Sequence, residues 1–309
     1  MDLRALGLGL AFAFMWSSAF TSARMIVTDA PPLTALALRF LISGVLGVAI
    51  ARAMGQTWRL TRPQWRSTFI FGICQNALYL GLFFFAMQTV EASLAAIVAA
   101  AMPLFVGLAG WLVLGDRLRP LAILGLVLGI GGVALIMGSR LTGGADPVGI
   151  AACIVGTLAL TVATLSVRTA SGGGNLLMIV GLQMLVGSAA LTVVAFVFET
   201  WEVTWSLRLV LAFLYTTLIP GLLATLTWFV LVNRIGAVRA APYHFLNPFF
   251  GVVIAALVLG EAVSLLDIAG AVVIALGILA VQIAKQPAAV PVRPVPARPD
   301  PGVVPGPRV

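Results

Sequence analysis

The stretch PLFVGLAGWLVLGD, Pro103 to Asp116, returns 145 residues later as PFFGVVIAALVLGE, Pro248 to Glu261. The match runs on past the acid. Leu121, Ile123, Gly125, Val127 and Gly132 align with Leu266, Ile268, Gly270, Val272 and Gly277 at the same offset. Eleven of the 30 positions from 103 to 132 are identical to their partners. Leu, Val and Gly are common in this chain, so some of that agreement is composition. A shared proline, a shared Gly-acid pair and shared glycine spacing at one offset indicate duplication.

The segments around the repeat are those of a membrane protein. The chain has 309 residues, is 61% apolar and only 9% charged, and its mean hydropathy is +1.12. A soluble domain carries about 25% charged residues, which excludes a soluble enzyme. So apolar a composition also excludes wholesale disorder. A hydrocarbon core takes about 20 residues per helix. Ten apolar runs meet that need, at 4–24, 33–52, 67–87, 92–114, 120–138, 148–168, 175–198, 207–231, 238–259 and 266–284. The expected fold is all-α and polytopic, with ten transmembrane helices as two inverted five-helix repeats. The first repeat occupies residues 1–139 and the second 148–284. The first run is read as a spanning helix and not a signal peptide, because it is long and nine more follow.

Charge places these helices. With the N-terminus inside, 13 of the 18 basic residues fall on the inner side and only Arg24, Arg140 and Arg208 on the outer; Arg39 and Arg239 lie within spans. That distribution follows the positive-inside rule. It puts both termini in the cytoplasm and the protein in the inner membrane. It also explains the net charge of +8 without a nucleic-acid partner, since no basic cluster tracks a phosphate backbone. Eight of the 24 residues from Gln286 to Val309 are proline, so residues 285–309 are expected to be a disordered cytoplasmic tail.

Five spans per unit is an odd number, so the second unit must lie upside down relative to the first. Inverted repeats are the architecture of alternating-access transporters. The chain resembles the drug/metabolite transporter superfamily, of the EamA type. The resemblance is carried by Trp16-Ser-Ser-Ala-Phe20, by Pro32 with Arg39-Phe40, and by the two Pro…Leu-Gly-acid segments, and it covers roughly residues 5 to 284. It implies ten helices, cytoplasmic termini and movement of small metabolites without ATP hydrolysis. Amino-acid exporters are common in that group; multidrug and nucleotide-sugar carriers are more distant relatives. The four-helix multidrug pumps use a glutamate in their first helix, but no acid lies between Arg4 and Arg24, so that coupling scheme does not transfer.

Candidate site residues are polar or aromatic groups within spans. Two prolines six apart, Pro242 and Pro248, interrupt span nine, and such interruptions point to binding sites. Tyr243, His244 and Asn247 lie between them and are read as cavity lining. Trp16 and Ser17, Asn76 and Tyr79, Pro103, Tyr215 and Trp228 complete the candidate cavity, although each also fits as ordinary packing. Arg39, one or two turns into span two, reads as a substrate-carboxylate, folding or gating contact, or as a side chain snorkelling to the interface. Asp116, Glu261 and Pro248 are read as structural or gating residues, with the two acids capping or anchoring helix ends. Gly125-x-x-x-Gly129 signals close packing within the chain or in a homodimer. Cys74 and Cys153 sit in apolar runs and are read as unpaired. One histidine and no CxxC leave no metal site. No catalytic constellation, Walker loop or cofactor motif is present, so none is expected to serve. The expected partners are the lipid bilayer and a small-molecule substrate, with proton coupling, facilitated diffusion and exchange all open. A membrane protein without a transport cycle is the rival reading.

Overall fold

The computed structural model describes residues 2–113, 115, 119–167, 175–235 and 240–285. Asp116, Arg239, the glycines at 172–174 and the proline-rich tail lie outside the described residues.

The chain is an all-α bundle. α1 (Leu3–Val27), α2 (Pro32–Ala53) and α3 (Arg62–Ala86) are followed by α4 (Ala92–Leu112) and α5 (Pro120–Thr142). α6 (Pro147–Val167), α7 (Leu176–Phe198) and α8 (Leu207–Leu218, continued to Ile235) come next. α9 (Asn247–Leu259) and α10 (Leu265–Lys285) end the described chain. Among the described residues, eight helices are long and apolar enough to cross a membrane, and α9 and α10 provide two shorter apolar helices. Large apolar side chains cover the outside, Phe196 and Leu257 among the most exposed. A helix apolar on every side is suited to lipid on one face and protein on the other.

Local chemistry sets the ends. Asp2 caps α1 by accepting from the Arg4 and Ala5 amides. Thr61 and Gln64 form a capping box at α3. Pro32 and Pro120 occupy first turns, where a missing N–H costs nothing. Gly260 ends α9 at φ +70, a conformation that strains any residue with a Cβ.

Four helices are irregular inside or at their start. α3 is π-helical over Gly72–Tyr79. α8 is π-helical over Ile219–Leu223, where Pro220 removes an amide from the ladder. α9 is preceded by a 3₁₀ segment, Ala241–Leu246, which contains Pro242 and ends two residues before Pro248. α4 also breaks at Ala101, just before Pro103.

Glycines bring helices together in two antiparallel pairs. In the first, a Cβ on Gly44 of α2 would lie 2.7 Å from Leu185 of α7, and one on Gly47 would lie 3.3 Å from Gly181 Cα. Ser188 Oγ donates to the Ala37 carbonyl at 2.8 Å in the same seam. In the second, Gly125 of α5 lies against the Gly277 carbonyl of α10, and Gly132 lies near the Gly270 carbonyl, with 2.6 Å and 3.4 Å to an added Cβ. The Gly125-x-x-x-Gly129 motif therefore packs on α10 within the chain.

One end of the bundle, formed by residues 28–31, 87–91, 143–146, 199–206 and 260–264, is closed by charged groups. Glu199 accepts from the Leu33 and Thr34 amides and from Thr34 Oγ1, at 2.7–2.8 Å. Glu261 does the same for Ala92 and Ser93, at 2.8 Å and 2.9 Å. Each carboxylate thus caps the positive N-terminus of a helix distant in sequence. Arg140 joins the buried Asp267 at 2.6 Å to Glu91 at 2.7 Å. Arg24 donates to the Met87 carbonyl. At the opposite end Arg234 pairs with Asp2 at 2.7 Å and holds that carboxyl below its usual range.

Candidate functional site

Two side-chain clusters share Trp16. The first is aromatic. Phe12 and Trp16 are one helical turn apart on α1, so their rings lie on one face, with centroids 5.7 Å apart. Trp228 of α8 meets Phe12 at 4.8 Å and His244 at 4.7 Å. His244 stands edge-on to Phe12 at 5.0 Å and to Trp16 at 6.3 Å. The 3₁₀ segment before α9 places His244 Nδ1 3.2 Å from Asn247 Nδ2. Ser17 Oγ lies 3.5 Å from Asn247 Oδ1. One step along α1, Ser18 Oγ and the Tyr215 hydroxyl are 2.8 Å apart.

The second cluster surrounds a cavity of about 70 Å³ lined by Trp16, Phe20, Arg39, Gln75, Tyr79 and Pro220, among others. The two π-helical segments supply Gln75, Tyr79 and Pro220. The wider π turn displaces side chains from α-helical register, and such turns occur frequently at functional sites. Tyr79 and Phe83 meet edge-to-face at 4.7 Å and form part of the wall. Arg39 is 7% exposed and its guanidinium lies 5.3 Å from the Phe40 ring. Larger hollows exist: a cleft of about 510 Å³ beside Asp29 and Glu199, and grooves of about 330 and 580 Å³ with apolar walls on the outer surface. The small cavity is the candidate site because it alone of these combines enclosure within the bundle with a buried cation.

The sequence-predicted residues therefore divide. Trp16, Tyr79 and Arg39 share the cavity; Trp16, Ser17, Trp228, His244 and Asn247 share the aromatic cluster, with Tyr215 beside it. Asn76 turns away, donating to the Gln183 carbonyl at 2.9 Å and tying α3 to α7. Tyr243 packs over Gly9 near Ala5 and Leu231, toward the Asp2 end. Pro103 marks the break in α4, and Pro248 opens α9 beside an outward groove. Glu261 caps α4. Phe12, Gln75 and the Arg140–Asp267 pair were not among the expected residues. Ser264 three residues before Asp267 is a capping-box spacing, and its hydroxyl does donate to that carboxylate at 2.8 Å. No sequence signal marks Phe12 among so many apolar residues. Cys74 and Cys153 are free thiols, and no metal-holding group of His, Cys, Asp or Glu occurs among the described residues.

The family model for EamA-like transporters matches residues 3–138 and again residues 147–282. The chain belongs to the EamA-like transporter family. EamA membership makes it a multi-pass carrier of small molecules and not an enzyme. It is 26% identical to an uncharacterized transporter, YvbV, of Bacillus subtilis over 86% of this chain and 87% of that protein. It is 25% identical to an uncharacterized inner membrane transporter, YedA, of Escherichia coli K12, over 89% of each. A relative named for its cargo, the aromatic amino acid exporter YddG of Ancylobacter novellus, is 29% identical over 44% of this chain and 47% of that protein. A protein of known crystal structure shares the fold, with TM-score 0.65 at 21% identity over 92% of this chain and 99% of that one.

Proposed function

We propose that the chain is an alternating-access exporter of amino acids or similar small metabolites, built as two inverted five-helix repeats with both termini in the cytoplasm. One observation carries this reading. α2 and α7 are 145-residue mates, as are α5 and α10, and each pair packs antiparallel. A two-fold axis relating antiparallel helices runs perpendicular to them. For helices that cross a bilayer, that axis lies in the membrane plane, which is the symmetry of inverted repeats.

The cargo would bind between the halves, against Trp16, Trp228, His244, Asn247 and Tyr79. An aromatic wall with a few polar groups suits an amphipathic molecule, and the cargo named for the Ancylobacter novellus relative is of that kind. Under the charge-based orientation, the closed end with Glu199, Glu261 and Arg140 faces outward. Its cross-helix caps would have to break for cargo to leave. Counterflow of labelled phenylalanine, tryptophan and a wider amino-acid panel into vesicles holding the purified protein tests the function. Saturable, cargo-dependent uptake is expected; absence of flux across the panel would sink it.

A further inference from the structure

Among the described residues, two charged side chains are buried: Asp267 and Arg39. Asp267 has Arg140. Arg39 has no ion-pair partner among the described residues, and its Nε has no hydrogen-bond partner there either. An arginine cannot escape the cost of burial by losing its proton under physiological conditions. Within a bilayer, a charge left so is expensive and faces a ligand, water or an ion pathway. The described carboxylates are elsewhere. Asp2 and Asp146 cap helices, Glu91 and Asp267 hold Arg140, Glu199 and Glu261 hold helix N-termini, Asp29 accepts from Ser206 and Glu202 is exposed.

The surroundings of Arg39 are those of a prepared donor set. Ser43, one turn further along α2, also has a buried hydroxyl with no partner among the described residues, but it lines a separate small hollow with Gly47 and Gly221. A Cβ on Gly221 would lie 3.6 Å from both Arg39 Nη2 and Ser43 Oγ. The Cα of Gly221 in the α8 π turn therefore lies beside both groups. Gln75, from the other π segment, lines the same cavity as Arg39. The cavity volume of about 70 Å³ exceeds the roughly 10–15 Å³ that one water needs, so it has room for a polar head group. Trp16 forms one wall, and its ring faces His244 of the aromatic cluster.

We propose that Arg39, with Gln75 beside it in the cavity wall, anchors a carboxylate of the cargo, whose apolar part passes Trp16 into the Phe12–Trp228–His244 cluster. The inference rests on the transporter reading and narrows it: the cargo is a carboxylate-bearing small molecule with an aromatic or apolar body. Arg39 forms a charge-assisted, planar donor pair that a neutral amide cannot match.

The test compares matched probes, L-phenylalanine with L-phenylalaninamide and 3-phenylpropionate with 3-phenylpropanamide, on the full purified chain. Thermal shift titration reads binding and vesicle uptake reads flux. The carboxylate of each pair is expected to bind at least about tenfold tighter than its amide. Arg39→Lys should keep the preference and Arg39→Gln should bring it within about twofold. Equal binding of acid and amide by the native chain, or no binding of either, overturns the anchor without needing any variant to fold. So does a preference that survives Arg39→Gln. Acid-selective binding without flux would retain the anchor and remove the transport reading; flux without acid selectivity would do the reverse.

Discussion

Asn247 reaches two neighbours on different helices, His244 and Ser17, and so fixes the imidazole against Trp16 and Trp228. Replacing it with alanine removes those hydrogen bonds, worth about 1 kcal/mol net. Asn247→Ala is expected to raise the apparent KM about fivefold with expression unchanged, as read by initial uptake rates in vesicles. The residue scale is also where the sequence was least legible. Asn76 and Tyr79 are three apart, which in an α-helix places them on one face. They sit inside the π segment, where each residue advances the turn by less than the α-helical value of about 100°. Tyr79 therefore meets the cavity while Asn76 meets α7, and Gln75 joins the wall instead. His244, Asn247, Trp16 and Trp228 were readable because proline breaks and rare polar groups mark them against an apolar background.

Glycine seams hold the helix pairs. Gly277 of α10 has backbone on its open side, the Gly125 carbonyl 2.6 Å and Gly129 Cα 2.8 Å from an added Cβ. Backbone cannot rotate away as a side chain can. Gly277→Val must push α5 and α10 apart, and its cost falls at the upper end of overpacking penalties, about 3 kcal/mol; a lowered Tm in detergent checks it. The seams explain why the glycine spacing repeats at one offset: it encodes a helix contact, and the glycine spacing alone fits packing within the chain and dimerisation equally well. Helix caps supply a second prediction at this scale. Asp146 accepts from the Val148 and Gly149 amides and from Thr89 Oγ1. The Thr89 hydroxyl, followed by the Val148 amide, holds its carboxyl below the usual range. A lowered folded-state pKa adds stability above the unfolded value of about 3.9 and loses it as pH falls through the folded value. The Tm difference between the native chain and Asp146→Asn should therefore be full at neutral pH and shrink on acidification below about pH 4. A difference independent of pH would refute that assignment.

The whole molecule was legible where composition and pattern speak, and hidden where contacts between distant helices decide. A low charge fraction gave the membrane class, and apolar run lengths gave the helices. The closed end was not foreseen, because Glu199 with Leu33 and Glu261 with Ala92 are 166 and 169 residues apart and no local pattern joins them. Inversion of the repeats has a direct test in positions related by the same offset. Arg59 and Thr204 are exposed, one beside α3 and the other beside α8. Single cysteines introduced at these mates, in a background lacking Cys74 and Cys153, should react with a membrane-impermeant maleimide from opposite faces of oriented vesicles. Reaction of both from one face would mean parallel repeats.

The paired π segments have a consequence for how the chain tolerates change. A π turn holds one residue more than the α ladder needs. Deleting one residue inside Gly72–Tyr79 would close the wide turn into an ordinary one and leave the helix unbroken. The same deletion in a regular span would rotate everything beyond it by about 100° against its neighbours. The wide turns in α3 and α8 are thus slack in an otherwise taut bundle, placed where the wall of the cavity can be re-cut by one residue without unseating the helices around it.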